Sequence, residues 1–388
     1  MRVTMTHALT SLLVAGLLLQ TPAPTSATVQ SYLDTWRAAS GVPGVTVGIV
    51  TKDGLVQAFA SGESDTATHR KMQPTDLMLA GSTGKTFFAA VAVQLIESGK
   101  LDLDAHISQY LGTRPWFSRL PNAKDVTVRQ LMTHASGIIR YEFNEKFTAD
   151  LRANPEKIWT PEEQIGYLFD TPAPFAAGQG WEYSDTNYMV LGLIVEQITG
   201  TKYYDLIRDR FLTPLGLKGA VPSTSRRIPG LVPGYVGPGD PILPAGDVMK
   251  DGVMTINPQL EWAGGGFATN AVDLARWGHE LYTGKALSAK ARALMIDSAV
   301  PAKLGAGSTY GLGVIIRPPA TAAGMTSRTW GHSGYFPGYM SELLYVVDTG
   351  TTLAIQINSS GPRTRGTAAP LRVLYDIAGA FYSAAGAR

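Results

Sequence analysis

Apolar residues follow two rhythms along this chain, one toward each end and another between. Residues 29–39 read as an amphipathic helix, stopped by Gly41-Val42-Pro43-Gly44. Residues 45–50 are rich in β-branched side chains, Asp53-Gly54 is a hairpin signal, and residues 55–61 supply the returning strand. Helical spacing then takes over. Residues 86–98 set Phe87, Val91 and Leu95 on one stripe and end at Gly99, a good C-terminal cap. Residues 128–134 form a shorter element. Residues 188–199 carry Met189, Leu191, Ile194, Val195 and Ile198 and close at Gly200. Residues 221–247 are rich in Pro and Gly, follow neither period, and read as a long surface excursion. Helical spacing returns over residues 273–282. Strand patterns resume over residues 310–316, 328–332, 339–347 and 352–357, with Asp348-Thr349-Gly350 in the last turn, and a helix over about 370–384 follows.

Strands at both ends with helices between predict an α/β (α+β) fold: one antiparallel sheet assembled from both termini, flanked by helices, with a mainly helical region inserted. The sheet part covers about residues 28–75 and 300–388, the helical part about 76–299. No internal repeat is visible. The seam between the two parts is the place to look for a pocket.

The first 27 residues fall outside that scheme. One Arg and no acid precede an apolar run over residues 8–19, and the small, turn-prone Gln20-Thr21-Pro22-Ala23-Pro24-Thr25-Ser26-Ala27 follows. The run is shorter than the ~18–20 residues that span a bilayer and has the length of a signal-peptide core. The expectation is cleavage after Ala23 or Ala27 and export to the periplasm or the medium, with no stable membrane anchor afterwards. An N-terminal anchor or a core helix is the alternative.

Composition removes several function classes. Lys and Arg number 33 against 31 Asp and Glu, so no overall field draws the chain to nucleic acid or a membrane surface. With no cysteine there is no disulfide, thiolate metal site, thiol nucleophile or lipid-modified cysteine. Six histidines occur without a His-Glu-x-x-His pattern, so neither metal nor cofactor is expected. A small-molecule or peptide substrate remains.

Three short stretches could carry chemistry. In Gly81-Ser82-Thr83-Gly84-Lys85-Thr86, Ser82 and Lys85 stand three apart at a helix start and so share a face. A serine hydroxyl needs a neighbour to take its proton, and a partly desolvated Lys can serve. The ordinary alternative is a capping Ser with an exposed Lys. A phosphate-binding loop would need Gly at position 79, where Leu79 stands. The second stretch, Tyr183-Ser184-Asp185-Thr186-Asn187-Tyr188, opens another helix, and its ordinary reading is a cap by Ser184 or Asp185. The third, Trp330-Gly331-His332-Ser333-Gly334-Tyr335, ends a predicted strand, where a lone His is usually just a polar residue.

Taken in order, Ser-x-x-Lys, Tyr-Ser-Asp and His-Ser-Gly resemble the motifs of the penicillin-recognising serine hydrolases. The likeness is closest to the group of class C β-lactamases, secreted D-alanyl-D-alanine carboxypeptidases and related esterases. Leu131-Met132-Thr133-His134-Ala135-Ser136-Gly137 and Tyr310-Gly311-Leu312-Gly313 are similar to further stretches of that family. The resemblance implies that Ser82 is the acylated nucleophile and Lys85 its partner in proton transfer. It implies that Tyr183 is the base in acylation and the acid for the leaving group. Its phenolate would then need a nearby positive charge, from Lys85 or from His332 if protonated. His332 stands where the family has Lys or His. Asp185, Ser333, Gly334 and Tyr335 are the implied substrate-binding positions, with the N–H groups of Ser82 and Tyr335 as oxyanion donors and Gly334 allowing close approach. Asp185 departs from the usual Asn. An ionised Asp has no donor, so it would hold Lys85, cap the helix or bind a cation. Trp116, Trp159, Trp262, Phe267, Phe336 and Tyr339 are candidates for an acyl pocket, and Arg317 and Arg328 for the cation that a terminal carboxylate needs.

The resulting expectation is a serine hydrolase working through an acyl-enzyme on Ser82, on peptide or β-lactam amides. A carboxylesterase, or a D-amino-acid amidase or aminopeptidase, on the same residues is the nearest rival. A catalytically silent homologue that binds wall peptides is the non-enzymatic alternative.

Overall fold

The computed structural model describes residues 26–361 and 369–382. The proposed signal segment lies almost wholly outside them. Nine strands form one antiparallel sheet, in the order Val300–Pro301, Thr309–Tyr310, Ile315–Arg317, Thr329–Phe336, Tyr339–Val346, Thr351–Ile357, Gly44–Val50, Val56–Asp65, Arg70–Lys71. The two ends of the pattern therefore meet inside the sheet, where Val45 pairs with Ile357 and Val50 with Thr352.

Gly44–Val50 is buried along its whole length, because both faces of the sheet are covered. On one face Val45, Val47 and Ile49 join Leu353, Ile355 and Ile357 beneath the helices Ser26–Ser40 and Pro370–Ile377, which contribute Val29, Leu33, Trp36, Val373, Leu374 and Ile377. Each such aliphatic side chain contributes about 1.5–3 kcal/mol on burial. On the other face the helix Ala271–Thr283 lies so close that a Cβ on Gly48 would stand 2.3 Å from the Ala271 carbonyl oxygen.

Beyond that helix the central region packs around Lys85–Glu97, which is apolar on nearly every side and buries ten residues. Asp185–Thr199 lies in the same core and ends at Gly200 with φ +65°. Among the described residues no helix is long and apolar enough to cross a membrane.

Three sequence expectations need revision. Residues 310–316 are not one strand: Thr309–Tyr310 and Ile315–Arg317 are separate strands, with Gly313 at φ +77° between them. The helix expected over 370–384 runs as Pro370–Ile377 with a wider turn over Ala378–Tyr382, and its last two residues lie outside the described ones. The third concerns residues 221–247, which are not a purely surface excursion but run along the surface while sending apolar side chains into the core. Ile228, Leu231, Val232, Val236, Ile242 and Leu243 are all buried, and Leu77 N–H donates to Gly230 O at 3.1 Å while Val232 N–H donates to Leu77 O at 3.0 Å. These side chains enter the core one or two at a time, between Pro and Gly turns, so they leave no period to detect.

Candidate active site

Ser82 sits in the tight turn Gly81–Gly84 that feeds straight into the Lys85–Glu97 helix. Three pieces of main chain meet there because glycine leaves room. Gly81 has φ +52°, and a Cβ on it would lie 2.5 Å from Tyr335 N. A Cβ on Gly84 would lie 1.8 Å from Gly265 O, and one on Gly334 would lie 2.0 Å from Ala80 O. The strand Thr329–Phe336 pairs with Ile315–Arg317 only as far as Gly331. From His332 to Phe336 its outer edge is free of that neighbour and lines a cavity of about 380 Å³ that also contains Ser82, Tyr183 and Asp185.

Lys85 is fully buried and donates from Nζ to Ser82 Oγ at 3.0 Å, to Gly264 O, and to Asp185 Oδ1. An exposed Lys beside a capping Ser is thereby excluded. The second helix is likewise not capped by its own side chains, since Ser184 Oγ donates to Ile139 O at 3.0 Å and makes no cap bond. Asp185 uses both oxygens on cations, Oδ1 on Lys85 and Oδ2 on Arg140 Nη2 at 2.9 Å. Burial pushes its carboxyl up, yet Lys85, a bond from Glu142 and Arg140 together hold it well below the usual carboxylate range. Glu142 accepts from Arg140 Nε at 2.5 Å through Oε1. Burial first, and then the Asp185 charge, raise its pKa to about 8. Its Oε2 meets no donor, as befits a protonated oxygen that itself gives a hydrogen to Asp185. Glu261, across the same cavity, is raised to about 8 by burial and by Asp185 and Glu142, against the pull of Lys85.

Tyr183 Oη is buried beside Ser82 without a well-formed hydrogen bond. Burial and then Asp185 push its pKa well above the ordinary value, while Ser82 and Arg140 pull weakly the other way. The resting side chain is a phenol. The positive charge that was to sustain a phenolate is present, since Lys85 Nζ lies 5.1 Å from the Tyr183 ring centroid, but Asp185 offsets it.

His332 is not the second cation. Its Nδ1 lies 2.6 Å from Ser333 O, which can only accept, so Nδ1 carries the hydrogen and Nε2 accepts from Tyr310 Oη at 2.8 Å. Burial and then the Lys85 charge push its pKa down to about 3. It is a neutral spacer, with both nitrogens committed. Ser333 lines the cavity, but its hydroxyl is held by Arg317 Nη2 at 2.9 Å. Arg317 in turn is buried against Glu342 at 2.7 Å, and Arg328 is exposed and does not line the cavity, so neither arginine is free to meet a substrate carboxylate there. Tyr335 places its main chain against Gly81 and its hydroxyl on Asp240, which also accepts from the N–H groups of Ile242 and Leu243 at 3.0 Å each. That contact ties residues 221–247 into the cavity wall.

Of the six aromatic candidates only Phe336 lines the cavity, where Tyr141, Phe143 and Phe147 are the ones missed. Trp159, Trp262, Phe267 and Tyr339 are core residues, and Trp116 stacks on Phe169 with centroids 6.0 Å apart. Arg140, Glu142 and Glu261 were also missed. The available signal for the first two was a charged pair directly after the apolar Ile138-Ile139. His134 is a different omission. It takes φ +62°, accepts Ser184 N–H on Nδ1 at 3.2 Å, and lies against the Tyr183 ring with centroids 4.2 Å apart. Among the described residues no group of three or more His, Asp or Glu side chains is placed to hold a metal.

Comparison with known proteins identifies the family and the fold. The family model described as Beta-lactamase matches residues 27–376. The chain is 26% identical over 298 residues to the putative penicillin-binding protein PbpX of Bacillus subtilis, covering 75% of this chain and 64% of that one. It is 28% identical over 242 residues to esterase EstB of Burkholderia gladioli, covering 58% of each. These matches span about three fifths of the relatives' length. Its fold superposes with a TM-score of 0.78 on the D-amino acid amidase of Ochrobactrum anthropi in complex with L-phenylalanine, at 25% identity over 93% of this chain and 100% of that one. The chain belongs to the beta-lactamase family, as the motifs implied, with the α+β fold expected of penicillin-recognising serine hydrolases.

Proposed function

We propose that this member of the beta-lactamase family is a serine hydrolase that cleaves amide bonds through an acyl-enzyme on Ser82. The observation that carries the reading is the buried Lys85 held between Asp185 and Ser82 Oγ, two residues that line the cavity. A solvated surface Lys needs no such setting. Ser82 Oγ attacks the carbonyl carbon, and the developing oxyanion accepts hydrogens from the main chain of Ser82 and Tyr335, each donor contributing about 2.7–4 kcal/mol. The Oγ proton passes to the Lys85–Tyr183 pair, from which one proton must first have left, and Tyr183 returns a proton to the departing amine. Water then attacks the ester, with the proton path reversed. Burial and Asp185 keep the resting phenol protonated, so the competent base form is the minor species at neutral pH.

Within this reaction type, amide bonds to D-configured residues whose amino group is itself acylated, as in short peptides, are the substrates favoured here, in keeping with the D-amino acid amidase whose fold is shared over 93% of this chain. An ester substrate is the second reading. It is favoured by the apolar lining from Phe143, Phe147, Leu151, Ile242, Ile256 and Leu260, and by the missing amide donor at position 185. Export of the mature chain, from the character of its first 27 residues, belongs to the same proposal.

The test is intact-protein mass and turnover with benzylpenicillin, a D-phenylalanine anilide and the matched ester, on wild type and Ser82→Ala. An adduct or turnover in the wild type, reduced about 10⁴-fold or more in the variant, is expected. Undiminished turnover by Ser82→Ala removes the assignment. The amide-to-ester ratio separates the two readings.

A further inference from the structure

The cavity holds a cation that this reaction does not use. The Arg140 guanidinium donates from Nε to Glu142 and from Nη2 to Asp185. Its plane is fixed over the Phe143 ring at 4.2 Å and near the Tyr183 ring at 5.4 Å. Among the described residues Nη1 has no hydrogen-bond partner. The side chain is 29% exposed, against 8% for Glu142 and 13% for Asp185. What this wall presents to the cavity is therefore the open edge of an anchored guanidinium, with its acids behind it.

We propose, on the basis of the hydrolase reading above, that Arg140 binds a carboxylate of the substrate, so that the chain selects acidic substrates over those with a free ammonium group. A guanidinium edge matches a carboxylate in plane and hydrogen-bond geometry. Because two nitrogens and a ring face already hold Arg140 in place, little ordering remains to be done when the anion arrives. A free ammonium would meet the same guanidinium as a like charge; of the acids lining the cavity, Asp185 has both oxygens bonded to cations, and burial keeps Glu142 and Glu261 protonated up to about pH 8. Arg317, the other arginine near the strand edge, is closed off by Glu342 and Ser333.

The carboxylate has two places on a substrate, on the acyl side of the scissile bond or on the leaving side. Calorimetric binding to the Ser82→Ala protein separates them without requiring turnover. The probes are N-succinyl-D-phenylalanine amide (acyl-side acid), N-acetyl-D-phenylalanyl-D-alanine (leaving-side acid), N-acetyl-D-phenylalanine amide (neutral) and D-phenylalanine amide (ammonium). One of the acids is expected to bind at least about tenfold more tightly than the neutral ligand, with the ammonium ligand weakest. Arg140→Gln in the same background should abolish the preference and Arg140→Lys should keep part of it. If Arg140→Gln fails to fold, the ranking on the Ser82→Ala protein stands as the test. Equal binding of acid and neutral ligands, no binding at all, a preference for the ammonium ligand, or an acid preference that survives Arg140→Gln each overturns the proposal. Failure of the hydrolase reading is detected separately, as wild-type turnover that Ser82→Ala does not lose.

Discussion

The two walls that face each other across Ser82 are built on different physics. The strand wall, His332 to Phe336, works through main chain: Gly334 admits the Ala80 backbone and Gly81 admits that of Tyr335 at contact distance, and its imidazole, His332, is locked neutral. The helix wall works through charge, with Lys85, Arg140, Asp185, Glu142 and Glu261 packed in one low-dielectric cluster. Backbone geometry tolerates almost no change in shape but is indifferent to pH. A buried charge cluster is disrupted even by an isosteric change that removes a charge, and depends on every partner and on proton activity.

Three experiments would break or sharpen that contrast. The largest effect is expected from Asp185→Asn. It leaves Lys85 and Arg140 without their anion, and breaking a buried pair costs about 3–5 kcal/mol. Denaturant unfolding should show that loss, and an unchanged midpoint would mean the cluster is not held by charge. Next comes Gly334→Ala on the strand wall, where the new Cβ would stand 2.0 Å from Ala80 O and 2.2 Å from Ser341 Oγ. The strand must move off the Ser82 turn, and a misplacement of about 1 Å lowers turnover by about 10²-fold. Steady-state kinetics within a few-fold of wild type would refute the close-approach argument. The smallest effect is in pH dependence. Glu261 and Glu142 hold their protons to about pH 8 in the folded chain, against an ordinary 4.5 when unfolded. Their contribution to stability is full below about pH 4.5 and is lost as pH rises through 8. Thermal melting from pH 5 to 9 should therefore show this decline, and Glu261→Gln should flatten it. The same slope in both proteins would show that Glu261 is ionised already.

The strand wall was far more legible in the sequence than the helix wall, for the same physical reason. Main-chain contact writes itself locally: His332-Ser333-Gly334-Tyr335 and Gly81-Ser82 are adjacent residues whose spacing is their function. The charge cluster draws on residues 85, 140, 142, 185 and 261, which only folding brings together. Lys85 and Asp185 could be singled out from motifs, and the pairing of the two was one of three roles considered for Asp185. Arg140 and Glu142 lie outside any motif, marked only by charge following Ile138-Ile139, and Glu261 carries no local signal at all. The fold followed from periodicity wherever an element had one repeating face, as in Asp185–Thr199. It failed over 221–247, where Asp240 fastens to Tyr335 through a single side chain.

The register of the sheet also sets a schedule for assembly. Val50 finds its partner in Thr352, some three hundred positions further along the chain, so this central ladder is as non-local as the sequence permits and closes late and slowly. Ser82 lies early in the chain, in the turn before the Lys85–Glu97 helix, but the Tyr335 main chain reaches it only through the strands that follow residue 328. A nascent or partly unfolded chain thus carries Ser82 without the Tyr335 main chain beside it. On the proposed mechanism, acylating power is switched on by the closing of the sheet, and a half-made protein has a serine but no reaction.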